Sequence, residues 1–202
     1  MAYRETAKTR ARQRANRARI LGAGRRLVAE GGFQALTVAA VAERAGVATG
    51  TVYRYFDGKS SLAVEVFSEA SGREVEVITE ALAGPPPVVE RLAAAITLWC
   101  RRAQAGRTLA FALLAEPAEP AVAEARLRYR ARYAATIAGA IQRAVRCGEL
   151  PEQDVSVAAA GIVGAMAEAV LGPHGDPDPE IITAFCLSAL HPWSPRCPPT
   201  RS

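Results

Sequence analysis

A short stretch of the chain brings small, hydroxyl-bearing, aromatic and basic residues together at helical spacing. It runs from Leu36 to Phe67. Its apolar positions predict two short helices that share a small core and are joined by a turn at Gly46: Val38, Val41, Ala45, Val47, Val52 and Phe56. The residues left facing outward are small, hydroxyl-bearing, aromatic or basic: Thr49, Gly50, Thr51, Tyr53, Arg54 and Tyr55.

These outward residues are suited to hydrogen bonding with nucleic acid. The start of a helix offers backbone N–H donors and a positive dipole end to phosphate. Small residues such as Gly50 let the backbone approach base edges, and threonine hydroxyls can bond to bases or phosphates. The pattern therefore predicts a helix that lies in the major groove of duplex DNA.

Positive charge is concentrated at the same end of the chain. The net charge of the whole chain is +5, but residues 1–60 hold 12 Lys or Arg against 4 Asp or Glu. Residues 1–26 alone contain nine basic residues against the single Glu5. This distribution favours a polyanion as partner, with nucleic acid first and an anionic membrane surface second. Arg10, Arg12, Arg14 and Arg17 either contact DNA as a basic arm or form a solvated face.

The central residues resemble a known family. The run from Thr37 through Ala42-Glu43, Ala45-Gly46-Val47, Gly50-Thr51-Val52-Tyr53-Arg54-Tyr55-Phe56-Asp57-Gly58-Lys59 to Leu62 is similar to the DNA-binding region of the TetR family of transcriptional regulators. The resemblance covers about residues 15–67. One departure is Ala48, where the family often has a serine cap, which weakens the helix start by about 1 kcal/mol.

The resemblance implies a role for individual positions. Thr37, which its residue type and position also predict to be an N-cap, caps the helix before the groove-reading helix and contacts a phosphate. Lys59 binds another phosphate at the start of the helix after the groove-reading helix. Ala48, Thr49 and Gly50 read base edges. Thr51, Tyr53 and Tyr55 contact phosphates or bases. Apart from the resemblance, we expect Arg54 to make a general contact with the DNA backbone or to lie on the surface. The alternatives are that Tyr53 or Tyr55 packs between helices and that Thr49 and Lys59 are simply solvated.

The positions of glycine and proline, which end helices, predict an all-α fold of about nine helices. The first is expected from about Arg12 to Glu30, after a mobile segment over residues 1–11, and the groove-reading helix over about 48–55. Domain boundaries follow: a DNA-binding domain with a basic arm over 1–67, a helical ligand-binding and dimerisation domain over 68–191, and a disordered tail over 192–202 that is rich in proline.

The last two predicted helices combine small and large apolar residues that suit a contact between two copies of the chain. Doubling a short reading helix across a two-fold axis is the usual route to specific affinity, and the resemblance implies a four-helix bundle between protomers. The alternative is that these faces close the core of one subunit. The candidate interface residues are Gly161, Ile162, Ala165, Ala169, Ile181 and Phe185.

The middle helices are predicted to enclose a cavity for a largely apolar small molecule. Plain core packing is the alternative for each of its walls. Arg102 or Arg132 could pair with an acidic ligand group. The candidate ligand-binding residues are Trp99, Arg102, Phe111, Leu114, Tyr129, Arg132, Tyr133 and Met166.

Nothing in the sequence indicates an enzyme, a cofactor or a metal site. The four cysteines are far apart without a CxxC pair, and the two histidines, His174 and His191, lie late in the chain. No apolar segment follows the basic start as in a signal peptide, and the longest apolar run, Val157 to Ala167, is too short to span a bilayer. We therefore expect a cytoplasmic protein without catalytic residues.

These observations converge on a homodimeric transcriptional repressor that a small molecule releases from a pseudo-palindromic operator. Two alternatives stay open at this point. One is a basic helical protein that associates with anionic membrane surfaces, since the first helix has an apolar stripe. The other is a DNA-binding factor that does not respond to any ligand.

Overall fold

The structure, a computed structural model, describes residues 7–85, 87–172 and 176–191. Across these ranges it contains nine α-helices and no strand, which confirms the predicted all-α class. The predicted tail at 192–202, with Cys197, and His174 lie outside the described residues. The helices are α1 (Ala7–Gly31), α2 (Val38–Ala45), α3 (Thr49–Tyr53), α4 (Lys59–Ala81), α5 (Val88–Ala105), α6 (Arg107–Leu114), α7 (Pro120–Arg146), α8 (Val155–Leu171) and α9 (Pro179–Ser188).

Two boundaries differ from the sequence prediction. Helix α1 begins at Ala7, so residues 7–11 are helical rather than irregular. Alanine, lysine and arginine all have high helix propensity, which explains the longer helix. Helix α3 is shorter than predicted, because the N–H of Tyr55 bonds to the carbonyl of Val52, three residues back, and tightens the final turn.

Packing divides the chain into two compact units. The first comprises the described residues of Met1–Val77 and Arg102–Arg132, and the second those of Ile78–Arg101 and Tyr133–Ser202. Helix α6 and the first part of α7 therefore belong to the same unit as α1, α2 and α3. This division follows packing alone, and the functional boundary expected after residue 67 stays a prediction.

The first unit is built around an aliphatic and aromatic core. Ile20 of α1, Leu36 before α2, and Leu62 and Phe67 of α4 are among the largest fully buried side chains. The ring of Tyr129 lies edge-on to that of Phe67, with centroids 5.7 Å apart. The Tyr129 hydroxyl donates to the carbonyl of Ser68 at 2.9 Å, so α7 is fixed to α4 within this unit.

The second unit has its own core and its own helix cap. Leu92 and Ile96 of α5 and Ile141 of α7 are fully buried. The Glu149 carboxylate accepts hydrogen bonds from the N–H groups of Val88 and Val89 at 2.9 and 2.8 Å. It thereby satisfies two donors at the start of α5 that have no partner within the helix.

A buried carboxylate holds the turn that follows α1. Glu116, just after α6, is only 5% exposed, and its Oε2 accepts the N–H of Phe33 at 2.9 Å. Arg126 of α7 donates to the carbonyls of Ala112, Leu113 and Glu116 at 3.1, 2.9 and 2.8 Å. The guanidinium satisfies the last carbonyls of α6 and keeps Glu116 in place.

Gly32 is required in this turn for two reasons. Its φ of +69° lies in the left-handed region that other residues avoid. A Cβ built at this position would also lie 2.7 Å from Glu116 Oε2. The glycine therefore allows both the turn and the close approach of the carboxylate.

We expect Gly32→Ala to lower the free energy of unfolding by about 3 kcal/mol, because backbone strain adds to the displacement of a buried hydrogen-bonded carboxylate. Gly148→Ala is the matched control, since Gly148 has a φ of +73° but nothing within 4 Å of a new Cβ. It should cost only about 1–2 kcal/mol of backbone strain. Urea unfolding followed by circular dichroism measures both. Equal losses would contradict the role given to Glu116.

Candidate nucleic-acid interface

The first helix of the motif, α2, is defined by its two ends. Thr37 is the N-cap, and its side chain accepts the N–H of Ala40 at 3.1 Å, as the sequence predicted. Gly46 ends the helix with a φ of 62°, and its N–H bonds to the helix's last turn. Val41, Ala42 and Ala45 are buried between these ends. The helix is thus fixed in length and in the face that it buries.

Helix α3 presents most of its surface to solvent. It has five residues, of which only Val52 is buried, while Tyr53 is 55% exposed. Its N-cap, Ala48, makes no side-chain cap hydrogen bond. A Cβ at Gly50 would meet nothing within 4 Å, so the backbone is open to a large ligand there. The helix offers a small, open surface that a DNA groove could cover.

The predicted DNA contacts around α3 fall into two groups by exposure. Most are exposed, which leaves them free to touch a ligand, whereas Thr51 and Tyr55 are half-buried and Tyr55 packs against the core of the first unit. None of them is shown to contact DNA, so each contact stays a prediction. The exposed residues are Thr37, Ala48, Thr49, Gly50, Tyr53, Arg54 and Lys59.

The basic residues of α1 are held on a helix rather than on a mobile arm. Arg12 and Arg14 are exposed. Arg17 is half-buried, with Nη2 2.9 Å from Glu65 Oε2 and its guanidinium 5.6 Å from the centroid of the Phe56 ring. Arg17 therefore already has partners within its own subunit, and its predicted contact with DNA would have to be made by the remaining donors.

Arg19 is a residue that the sequence prediction missed. From α1 its Nη2 donates to the carbonyl of Ala45 at 2.6 Å and to that of Gly46 at 3.1 Å. These carbonyls end α2 and begin the turn that leads to α3. The sequence does not distinguish Arg19 from the other eight basic residues of positions 1–26, because its partners are backbone atoms 26 and 27 positions away.

A second arginine joins α1 to α2 through side chains alone. Arg44 makes a bidentate pair with Glu30, with distances of 2.7 and 2.8 Å. The hydrogen bond from Arg44 holds the pKa of Glu30 below its ordinary value. The pair is exposed, so solvent screens it and its contribution to stability is small.

The predicted ligand-binding residues are divided between the two units. Trp99 and Met166 are buried, whereas Phe111 is 48% exposed. Arg102 is bonded to the carboxylate of Glu74 at 2.6 and 2.8 Å, and the Arg132 guanidinium lies 4.9 Å from the Tyr129 ring centroid. The first unit holds Arg102, Phe111, Leu114, Tyr129 and Arg132, and the second Trp99, Tyr133 and Met166.

The predicted dimer residues show a large apolar exposure on the last helix. Ile181 is 67% and Phe185 63% exposed. On α8, Gly161 is exposed and Ala165 and Ala169 are half-buried. Ile162, which the sequence also placed on this face, is only 2% exposed and belongs to the core of its own unit. It is therefore not available to a partner chain as the structure stands.

The described residues contain neither a metal-binding cluster nor a membrane-spanning helix. No group of three or more His, Cys, Asp or Glu there could hold a metal ion. Of the helices in that part of the chain, none has the length and apolar character needed to cross a membrane.

Comparison with known proteins gives a family for the N-terminal region. Residues 20–66 match the family described as "Bacterial regulatory proteins, tetR family". The chain is 48% identical over 80 residues to the HTH-type transcriptional repressor KstR of Mycolicibacterium smegmatis, a match that covers 37% of each protein. It is 33% identical over 78 residues to the fatty acid metabolism regulator protein of Bacillus subtilis, covering 39% of this chain and 40% of the relative. These matches thus span well under half the length of the relatives.

Solved structures extend the likeness to the whole fold. The regulator FadR from Bacillus subtilis, described in complex with stearoyl-CoA, aligns with a TM-score of 0.70 and 24% identity, over 86% of this chain and 97% of that one. FadR from Bacillus halodurans gives the same TM-score with 23% identity. At these identities the likeness establishes the shared helical fold.

We expect Thr37→Ala to lower the free energy of unfolding by about 1 kcal/mol, because the N–H of Ala40 loses its acceptor. Thr37→Ser is the control, since it keeps an oxygen at the same position and should stay close to the native value. Thermal and urea unfolding of the three proteins measure the effect. Equal destabilisation by both substitutions would show that the cap is not what Thr37 contributes.

Proposed function

We propose that this chain, which matches the tetR family of bacterial regulatory proteins over residues 20–66, is a transcriptional repressor that binds operator DNA as a homodimer and is released by a small molecule. The single observation that carries the proposal is the exposure of α3 beside the capped helix α2. The matched relatives are regulators, one of them named a repressor, which supports regulation rather than enzymatic activity. Such a protein acts on chromosomal DNA in the cytoplasm.

In the proposed complex, α3 lies in the major groove. Thr49 and Gly50 approach base edges, since both are exposed and small, and Tyr53 reaches a phosphate or base beside them. Lys59, the first residue of α4, grips a phosphate at the flank, where its charge adds to the positive end of the helix dipole. Thr37 at the start of α2 contacts a further phosphate of the DNA backbone.

The dimer in this proposal forms through α8 and α9. Contiguous exposed apolar side chains mark a surface that a partner covers, whereas single ones do not. Ile181 and Phe185 lie four residues apart on one face of α9, and both are more than half exposed. Gly161, Ala165 and Ala169 on α8 permit close approach of a second helix pair. Two copies would then present their α3 helices to successive turns of a pseudo-palindromic site.

The effector in this proposal is a largely apolar small molecule. The stearoyl-CoA complex of the B. subtilis regulator with the same fold supports an effector with a long apolar part. Linkage requires effector and DNA to weaken each other's binding by the same factor, and a coupling of about 1–3 kcal/mol corresponds to roughly 5- to 150-fold. Helix α4 begins at Lys59 and contributes residues to both units, so in this scheme it transmits the effect of the effector to the DNA-binding residues.

Tyr53→Ala and Lys59→Ala should each weaken operator binding at least several-fold, because each removes a contact to the DNA backbone or bases. Arg146→Ala is the matched charge control, since Arg146 is exposed at the end of α7 in the other unit. Fluorescence anisotropy with a labelled duplex, beside binding to anionic vesicles, measures the effect. Native affinity in both variants, or a preference for vesicles over duplex, would contradict the docking face.

Ile181→Asp should convert the dimer to monomers. A buried unpaired charge costs about 3 kcal/mol or more, which corresponds to a rise of at least roughly 100-fold in the dimer dissociation constant. Leu127→Asp is the control, because Leu127 of α7 has the same 67% exposure as Ile181. Analytical ultracentrifugation measures the assembly. A dimer that survives Ile181→Asp, or is lost equally in Leu127→Asp, would overturn the proposed interface.

A further inference from the structure

Arg19 binds the backbone at the point where α2 gives way to the turn before α3. Its Nη2 contacts two successive carbonyl oxygens, at 2.6 Å for Ala45 and 3.1 Å for Gly46. Its Nη1 lies 3.4 Å from Asn16 Oδ1 on the same helix. The guanidinium therefore faces the junction of the two motif helices and has partners on both of its terminal nitrogens.

The contacted carbonyls are ones that a helix end leaves without intrahelical partners. The last carbonyls of α2 also carry the negative end of its dipole, so a cation is favoured there. A charge-assisted hydrogen bond to such an oxygen is stronger than one between neutral groups. Arg19 thus acts as a side-chain cap for α2 that is supplied by α1.

Helix α3 has few other restraints on its direction. Its N-cap, Ala48, makes no side-chain hydrogen bond, and Val52 is its single buried residue. The turn itself is held by the N–H of Val47, which bonds to the carbonyl of Ala42 at 3.0 Å. The orientation of α3 therefore depends on how firmly the residues at Ala45 and Gly46 are fixed.

We propose that Arg19 is a positioning residue for DNA recognition, which sets the direction of α3 by clamping the Ala45 and Gly46 carbonyls rather than by contacting phosphate. The inference rests on the proposed function, since it assigns a role within the same interface. Arg19 is exposed like Arg12 and Arg14 on the same helix, but its hydrogen bonds to the turn separate it from those two candidates for direct DNA contact.

Salt dependence distinguishes a clamp from a phosphate contact. Each phosphate neutralised by a protein cation contributes about −0.9 to the slope of log affinity against log salt. Loss of a positioning residue lowers affinity with the slope unchanged, whereas loss of a phosphate contact makes the slope shallower. Disorder in the turn would also appear as faster amide exchange at Gly46, Val47 and Thr51, whose N–H groups are all bonded to backbone carbonyls.

The test compares Arg19→Gln with Arg19→Lys, Glu30→Gln and Lys59→Gln. Glu30→Gln removes the charge from the pair that joins α1 to α2 through Arg44, without touching the turn carbonyls. Lys59→Gln is the reference for loss of a phosphate contact. Operator affinity is measured by anisotropy across a salt series, and hydrogen exchange by mass spectrometry on each protein without DNA.

We expect Arg19→Gln to bind roughly tenfold more weakly, with the native salt slope and faster exchange in the turn. Arg19→Lys should recover part of the affinity, because an ammonium can reach one carbonyl. Glu30→Gln should bind like the native protein, and Lys59→Gln should show the shallower slope. Native affinity in Glu30→Gln would show that the effect belongs to the turn carbonyls and not to every polar contact between α1 and α2.

Native affinity in Arg19→Gln would overturn the inference, as would a shallower slope combined with native exchange in the turn. Loss of binding in Glu30→Gln equal to that in Arg19→Gln would also overturn it, since the effect would then come from any link between α1 and α2. If the native protein bound no duplex, the proposed function would fail instead, and the exchange rates alone would still decide whether Arg19 holds the turn.

Discussion

The proposed interface depends on α3, a helix that is too short to be stable without contacts from the rest of the protein. Helix α3 has five residues, whereas isolated helices need about 12–15 residues to be even marginally stable in water. Its shape and direction must come from tertiary contacts, namely the burial of Val52, the left-handed turn at Gly46 and the grip of Arg19 on the turn carbonyls. Because neighbouring residues stabilise α3, the helix can leave most of its own surface exposed to solvent.

The support for α3 extends beyond the helices that the motif itself contains. Glu116 and Arg126 tie the end of α6 and the first part of α7 to the turn after α1, through a buried carboxylate and three carbonyl contacts. This explains why residues 102–132 pack in one unit with α1, α2 and α3. In the proposed repressor, a displacement of α6 or of the first part of α7 would alter the turn after α1 through Glu116. It would thereby affect the helices that support α3, in addition to any effect transmitted along α4.

The motif was predictable from sequence because its signals are local. The cap at Thr37, the stop at Gly46 and the buried Val52 follow from residue type and spacing, and the structure has all three. The contacts of Arg19, Glu116 and Arg126 were not predictable, since they join atoms distant in sequence to backbone groups that any residue could offer. The burial of Ile162 was missed for a related reason: an apolar helix such as α8 has no polar face to show which side turns inward.

In the proposed repressor, two copies of α3 bind one duplex. Selection of bound sequences from a pool of random duplexes by the purified native protein tests it most directly. We expect enrichment of an inverted repeat whose half-sites are about 10 base pairs apart, centre to centre, or a multiple of that helical turn. Enrichment of a single unrepeated site, or no enrichment over the starting pool, would contradict it.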